Sequence, residues 1–148
     1  MYTYKIKKEM IQKWIKNYIL EFGKMDRLGH LLENHVNIKE ERLKFRCKRE
    51  RVDVSTFIGN SSDIISNIVE IMLDSYDEIA GYLADDSDTQ RWVLEGYLND
   101  NVKGIAFKYR GHNWNDGALS CKKMCIVIQK KKGENGFYVK TVYPLPPD

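Results

Sequence analysis

Apolar residues in the first part of the chain recur at the spacing of one helical face. Between Lys7 and Phe22 they are Met10, Ile11, Trp14, Ile15, Tyr18 and Ile19. Gly23 interrupts this run, and Asp26 opens a second predicted helix carrying Leu28, Leu31, Leu32 and His35. Asn37-Ile38-Lys39-Glu40 reads as a capping box, so a third helix is expected from Ile38. Arg51 to Ile58 alternates Val52, Val54 and Thr56, a short strand. From Ser62 to Leu83 one long helix is expected, with Ile64, Ile65, Ile68, Met72, Tyr76, Ile79 and Leu83 along its buried stripe. Asp85 to Asp88 reads as a turn, and Thr89 to Leu98 as a shorter helix with Trp92 and Tyr97.

The period then changes. Ile105–Tyr109, Met124–Gln129 and Phe137–Tyr143 read as strands, the last two joined by a hairpin at Gly133-Glu134-Asn135-Gly136. Gly111 to Ser120 is a polar loop holding His112 and Trp114. Helices first and a mostly antiparallel sheet later make an α+β protein. Thr141 and Tyr143 fall on one face of the last strand, because side chains alternate with period two. Pro144, without an N–H, is expected to stop the ladder there.

At 148 residues the chain reads as one domain with room for a core, and 43% hydrophobic with 30% charged residues is ordinary globular composition. No apolar run approaches a bilayer span and no secretory leader pattern opens the chain, so delivery is not expected to be encoded in it. Cys47, Cys121 and Cys125 lack metal-ligand or redox spacing and read as reduced, partly buried thiols. The net charge of +3 conceals a sharper division. Residues 1–59 hold 14 Lys/Arg against 8 Asp/Glu, residues 60–100 hold 1 against 10, and residues 101–148 hold 9 against 3. Such runs are usually solvated faces. They also agree with a phosphate-attracting cleft backed by an acidic surface open to a basic partner.

Three blocks stand in a telling order. Gly29-His30 is followed by His35-Val36 and then by Arg46, Ser55-Thr56-Phe57 precedes the long helix, and Gly136-Phe137-Tyr138-Val139 leads to Thr141 and Tyr143-Pro144. Together they resemble the RNase A-like toxin domain at the C-terminus of bacterial contact-dependent growth-inhibition proteins. The resemblance spans about residues 24–146, so residues 1–23 are read as an N-terminal helical segment and 24–148 as the toxin domain, within one compact unit. Asn37 stands where the family usually has Gly, and Val142 where it usually has Ala. The fold implied is RNase A-like without disulfides.

The resemblance implies a metal-independent endoribonuclease with no cofactor, cutting RNA (tRNA among the candidates) to a 2′,3′-cyclic phosphate. Such chemistry needs a base for the ribose 2′-OH, a fixed charge for the phosphoryl oxygens and hydrogen bonds to the leaving oxygen. Imidazole titrates near neutral pH, and a guanidinium is always charged and bidentate toward phosphate. Carried over by position, His35 is the general acid/base, Arg46 the electrostatic clamp, Thr141 an orienting hydroxyl, and Tyr143 a phosphate hydrogen bond or proton-transfer aid. On one straight helix, His35 and Arg46 would stand about 16 Å apart, whereas a turn near Asn37 could fold Arg46 back toward His35.

Each residue also has a plain reading. His35 can cap a helix, Arg46 can pair with Glu41 or Glu50 on the surface, and Thr141 and Tyr143 are good strand formers. His30 could be a second acid/base group, but pointing about 140° from His35 on a helix it reads as a supporting residue. Trp14 and Trp92 read as core, whereas Trp114 is a base-stacking candidate and His112 reads as an exposed loop residue or a substrate contact. Lys122, Lys123 and Lys130–Lys132 are solvated lysines or RNA-backbone contacts.

The resemblance further implies a module of a larger secreted or surface protein, delivered to act in the target-cell cytoplasm and neutralised by a cognate immunity protein. The competing class is a non-catalytic RNA-binding or protein-interaction module on the same scaffold. A third reading keeps the chemistry on another small ribonuclease toxin fold, against which the helical first half and the His35–Arg46 spacing both stand.

Overall fold

The computed structural model describes residues 3–22, 24, 32–33, 35–111, 117–131 and 136–148. In chain order the elements are helices α1 (Tyr4–Phe22) and α2 (Glu40–Glu50), strand β1 (Val54–Ile58), helices α3 (Ser61–Asp74) and α4 (Tyr76–Ala84), and strands β2 (Trp92–Tyr97), β3 (Lys103–Phe107), β4 (Leu119–Ser120), β5 (Lys123–Lys130) and β6 (Phe137–Pro144). Two three-stranded antiparallel sheets result, ordered β1-β3-β4 and β2-β5-β6. The class is α+β, and Cys47, Cys121 and Cys125 are all free and buried.

The larger core packs α1, α3 and α4 onto one face of the second sheet. Ile15, Ile19, Ile64, Ile68, Met72, Ile79, Met124, Ile126, Ile128 and Phe137 are fully buried in it. Trp14 and Trp92 pack against its margin. Helix α1 is tied to β6 at its far end, where the Tyr18 hydroxyl donates to Phe137 O at 2.6 Å. The Phe22 ring stacks on Phe137 at 5.4 Å. A smaller core of Leu43, Cys47, Val54 and Phe107 fixes α2 to the first sheet.

Several expectations are corrected. The segment from Thr89 to Leu98 is not a helix: Trp92–Tyr97 is a strand paired along its whole length with β5. Short helical spacing and strand alternation overlap in six residues, and the open β5 edge decides between them. The long helix expected to Leu83 is two helices, broken at Ser75, whose N–H is drawn to Ile71 O and Met72 O at 3.1 Å each. No capping box forms at Asn37; the cap of α2 is Lys39, which makes no side-chain capping bond. Pro144 does not stop the ladder, since it pairs with Met124 and the following Leu145 N–H donates to Lys123 O at 2.8 Å. Within the expected polar loop, Leu119–Ser120 forms a short strand on β3. The Gly133–Gly136 hairpin and most of the second predicted helix lie outside the described residues.

The acidic stretch is partly engaged within the molecule. Lys7 pairs with Asp86, and Asp77 receives both Lys8 Nζ, at 3.2 Å, and the Gln12 side chain. Lys130 is clamped on the carbonyls of Asp85 and Asp88 with its ammonium over the Tyr82 ring, which makes it a structural group. Among the described residues, no helix is long and apolar enough to cross a membrane.

Candidate active site

Backbone bonds strap the segment bearing His35 to the edge of β1. Val36 forms a parallel bridge with Phe57. Phe57 N–H donates to His35 O at 2.8 Å, and Asn37 N–H donates to Phe57 O at 2.7 Å. The Thr56 hydroxyl, fully buried, closes the same loop from the side. It donates to His35 O at 3.1 Å and accepts from Ile38 N–H at 3.1 Å. His35 N–H in turn reaches back to Leu32 O at 2.9 Å. The backbone on both sides of the imidazole is therefore fixed, while the chain turns away toward α2.

That turn is made at Asn37, which adopts φ +55°. The left-handed region costs an ordinary side chain about 1–2 kcal/mol, whereas Gly enters it freely and Asn tolerates it. Asn37 thus falls where only these residue types fit well. Asn37 adds a benefit Gly lacks: its side chain donates to Gly59 O at 2.9 Å and accepts from Gly59 N–H at 3.1 Å.

Beyond the turn at Asn37, α2 packs against the first sheet through Leu43 and Cys47. Arg46 lies close enough for its charge to act on His35. Burial chiefly, and then the Arg46 guanidinium, hold the imidazole below its ordinary pKa. His35 is therefore a neutral base at physiological pH. Arg46 Nε donates to Glu50 Oε2 at 2.7 Å, one of the surface pairings its sequence position allows. Beside it opens a 460 Å³ cleft lined by residues of α2, by Glu33 and Ile38 on either side of His35, and by Ser55 of β1.

Thr141 and Tyr143 stand on the face of β6 opposite the core. Thr141 pairs with Val127 and Tyr143 with Cys125, whereas Val142 between them is fully buried against Ile126. A bulge immediately before Thr141 leaves Lys140 without a partner and sets the phase of the strand's end. The Tyr143 phenol is hydrogen-bonded to the Cys125 thiol. That bond, together with burial and the negative Glu95 two strands away, pushes its pKa up to about 12. It stays protonated at neutral pH. The end of β6 lies against the first sheet: a side chain on Gly104 of β3 would strike Pro144 at 2.7 Å. That sheet is the one to whose β1 edge the His35 segment is bridged through Val36.

His30 and Trp114, like His112, lie outside the described residues. Lys122 is exposed, and Lys123 places its ammonium 5.0 Å from the Tyr97 ring at the open end of β2. Among the described residues, no three His, Cys, Asp or Glu side chains gather to hold a metal ion. Sequence reasoning missed the roles of Thr56 as a strap and of Cys125 and Glu95 as neighbours of Tyr143. Thr56 was visible in the Ser55-Thr56-Phe57 block. The Glu95–Cys125–Tyr143 row depends on the register of three strands, one of which reads as a helix.

A family model described as the bacterial CdiA-CT RNase A domain matches residues 29–144. A solved structure, the crystal structure of a CdiA-CT/CdiI complex from Y. kristensenii 33638, has the same fold with a TM-score of 0.65 and 22% identity. The match covers 79% of this chain and 99% of that one. None of the curated proteins matches the chain in sequence.

Proposed function

Because the chain belongs to the bacterial CdiA-CT RNase A domain family, we propose that it is a toxin that cleaves RNA without a metal or other cofactor. His35 takes the proton from a ribose 2′-OH. The 2′-oxygen then bonds to the adjacent phosphorus while the P–O5′ bond breaks, leaving a 2′,3′-cyclic phosphate and a 5′-hydroxyl end. Arg46 neutralises the charge that grows on the phosphoryl oxygens. Thr141 orients the substrate. Tyr143 hydrogen-bonds the phosphate or the departing oxygen as a neutral phenol, because a pKa of about 12 makes it a poor proton source. His30 supports the site, and Trp114, Lys122 and Lys123 are further substrate contacts in this reading.

One observation carries the assignment. The half-buried imidazole of His35 is held neutral next to a guanidinium, on a segment strapped to β1 by four hydrogen bonds around residues 35–38. A helix-capping histidine does not require that strap. By analogy with the CdiA-CT/CdiI complex, the chain has a cognate immunity protein and acts in the cytoplasm of a target cell after delivery as part of a larger protein.

The test is incubation of the purified chain with total tRNA and a labelled oligoribonucleotide in EDTA, beside His35→Ala. Cleavage by the parent alone, leaving cyclic phosphate ends, is the expected result. A folded, inhibitor-free parent that binds RNA and leaves it intact would make the chain a binding module instead.

A further inference from the structure

Helix α2 has two faces with different tasks. Leu43 and Cys47 are buried in the smaller core, so the apolar requirement of the helix is met on that side. On the other side, Arg42, Phe45, Arg46 and Arg49 fall within about 100° of arc at 100° per residue. Phe45 is 63% exposed, and the Arg49 guanidinium lies 5.9 Å from its ring centroid. An exposed phenylalanine among three guanidiniums contributes little to folding. All four residues line the 460 Å³ cleft together with Glu33, Ile38, Glu50 and Ser55; His35 stands between Glu33 and Ile38 in the chain without itself lining the cleft. Its volume lies within the range of about 300–1,000 Å³ typical of ligand pockets.

We propose that this face is a subsite for single-stranded RNA flanking the scissile phosphodiester. Arg42 and Arg49 hold backbone phosphates adjacent to the one at Arg46, and Phe45 carries a stacked base. The proposal rests on the nuclease reading of His35 and Arg46 and extends it along the substrate. Phosphates spaced along one strand match cations repeated along one helix face, and a flat exposed ring beside them is how single strands are commonly gripped. Glu50 accepts from Arg46 Nε at 2.7 Å, and both residues line the cleft. The strand enters beside α2 and passes His35, and the enzyme favours substrates long enough to reach both.

The test separates binding from cleavage by working in the His35→Ala background. Fluorescence anisotropy with a labelled oligoribonucleotide of about 12 nucleotides, long enough for one such site, is measured across a range of salt. Arg42→Gln with Arg49→Gln is expected to weaken binding at least about tenfold and to lower the slope of log K against log salt by about 1.4, roughly 0.7 per lost phosphate contact on a single strand. Phe45→Ala is expected to weaken binding about fivefold or more with the slope unchanged. Equal affinity and equal slope in both variants would overturn the subsite, even if the parent enzyme cleaves RNA. Unchanged RNA affinity with lost binding of an inhibitor protein would assign the face to that protein instead. A parent that fails to cleave, with binding still lost in the variants, would leave the subsite standing and remove the catalytic reading. Both sets of substitutions are at exposed positions, and circular dichroism spectra matching the parent verify the fold.

Discussion

The two cores differ in kind. The larger one, between α1, α3, α4 and the second sheet, is held by shape and apolar burial and contains almost no chemistry. The smaller one buries four residues, Leu43, Cys47, Val54 and Phe107, and relies on polar straps for the rest. His35 lies at the seam between them: Leu32 is buried in the large core, Val36 packs on it, and four residues beyond Val36 the chain enters α2. In the proposed function, stability and chemistry are thereby separated in space. The fold rests on the large core, while the position of the imidazole and guanidinium rests on a few hydrogen bonds.

The sharpest way to break this comparison is to change one side and read the other. His35→Ala is expected to lower kcat/KM by about 10²–10⁴-fold with no change in thermal midpoint; a large loss of stability would show that His35 belongs to the core after all. Ile19→Ala, fully buried on α1, should destabilise the protein by about 2–5 kcal/mol in denaturant unfolding. The folded fraction should keep its kcat, and a matching loss of turnover would join the two regions.

Thr56→Val removes one hydroxyl and leaves Ile38 N–H without its partner, at a cost of about 1–3 kcal/mol. Because that hydroxyl fixes the segment carrying His35, turnover should fall about tenfold by the same mechanism, a loss of roughly 1.4 kcal/mol in the barrier. Thr56→Ser should restore most of it, whereas a Val variant as active as the parent would reduce Thr56 to packing. At Asn37 both Ala and Gly lose the two bonds to Gly59, but only Ala keeps the strain of φ +55°. Asn37→Ala should therefore be less stable than Asn37→Gly by about 1–2 kcal/mol.

The smallest effect is a shift in pH dependence. Burial and the positive Arg46 both disfavour the charged imidazole, so removing Arg46 makes protonation easier. Arg46→Gln should raise the pKa of His35, seen by NMR titration, and move the acid limb of the residual kcat/KM profile to higher pH. An unmoved titration would place Arg46 too far from His35 to share a substrate phosphate with it.

Much of this was legible in the chain. The helical spacing of Ile15 and Ile19, the stripe from Ile64 to Ile79 and the alternation in the last strands each reflect burial on one face, and burial is written into side-chain type. The order of His35, Arg46, Thr141 and Tyr143 was also readable, because a family pattern keeps chain positions. Trp92 to Tyr97 was not: six residues satisfy either period, and only pairing with β5 makes them a strand.

The sequence by itself therefore determined the class of fold, the apolar faces and which residue types are available for chemistry. Local side-chain character is enough for these. Tertiary structure alone decided that Thr56 would hold the His35 segment, that Arg46 would return to its neighbourhood and that Cys125 would accept the Tyr143 phenol. Those relations join residues far apart in the chain through strand register and one left-handed turn. No local preference encodes a distance between two sheets.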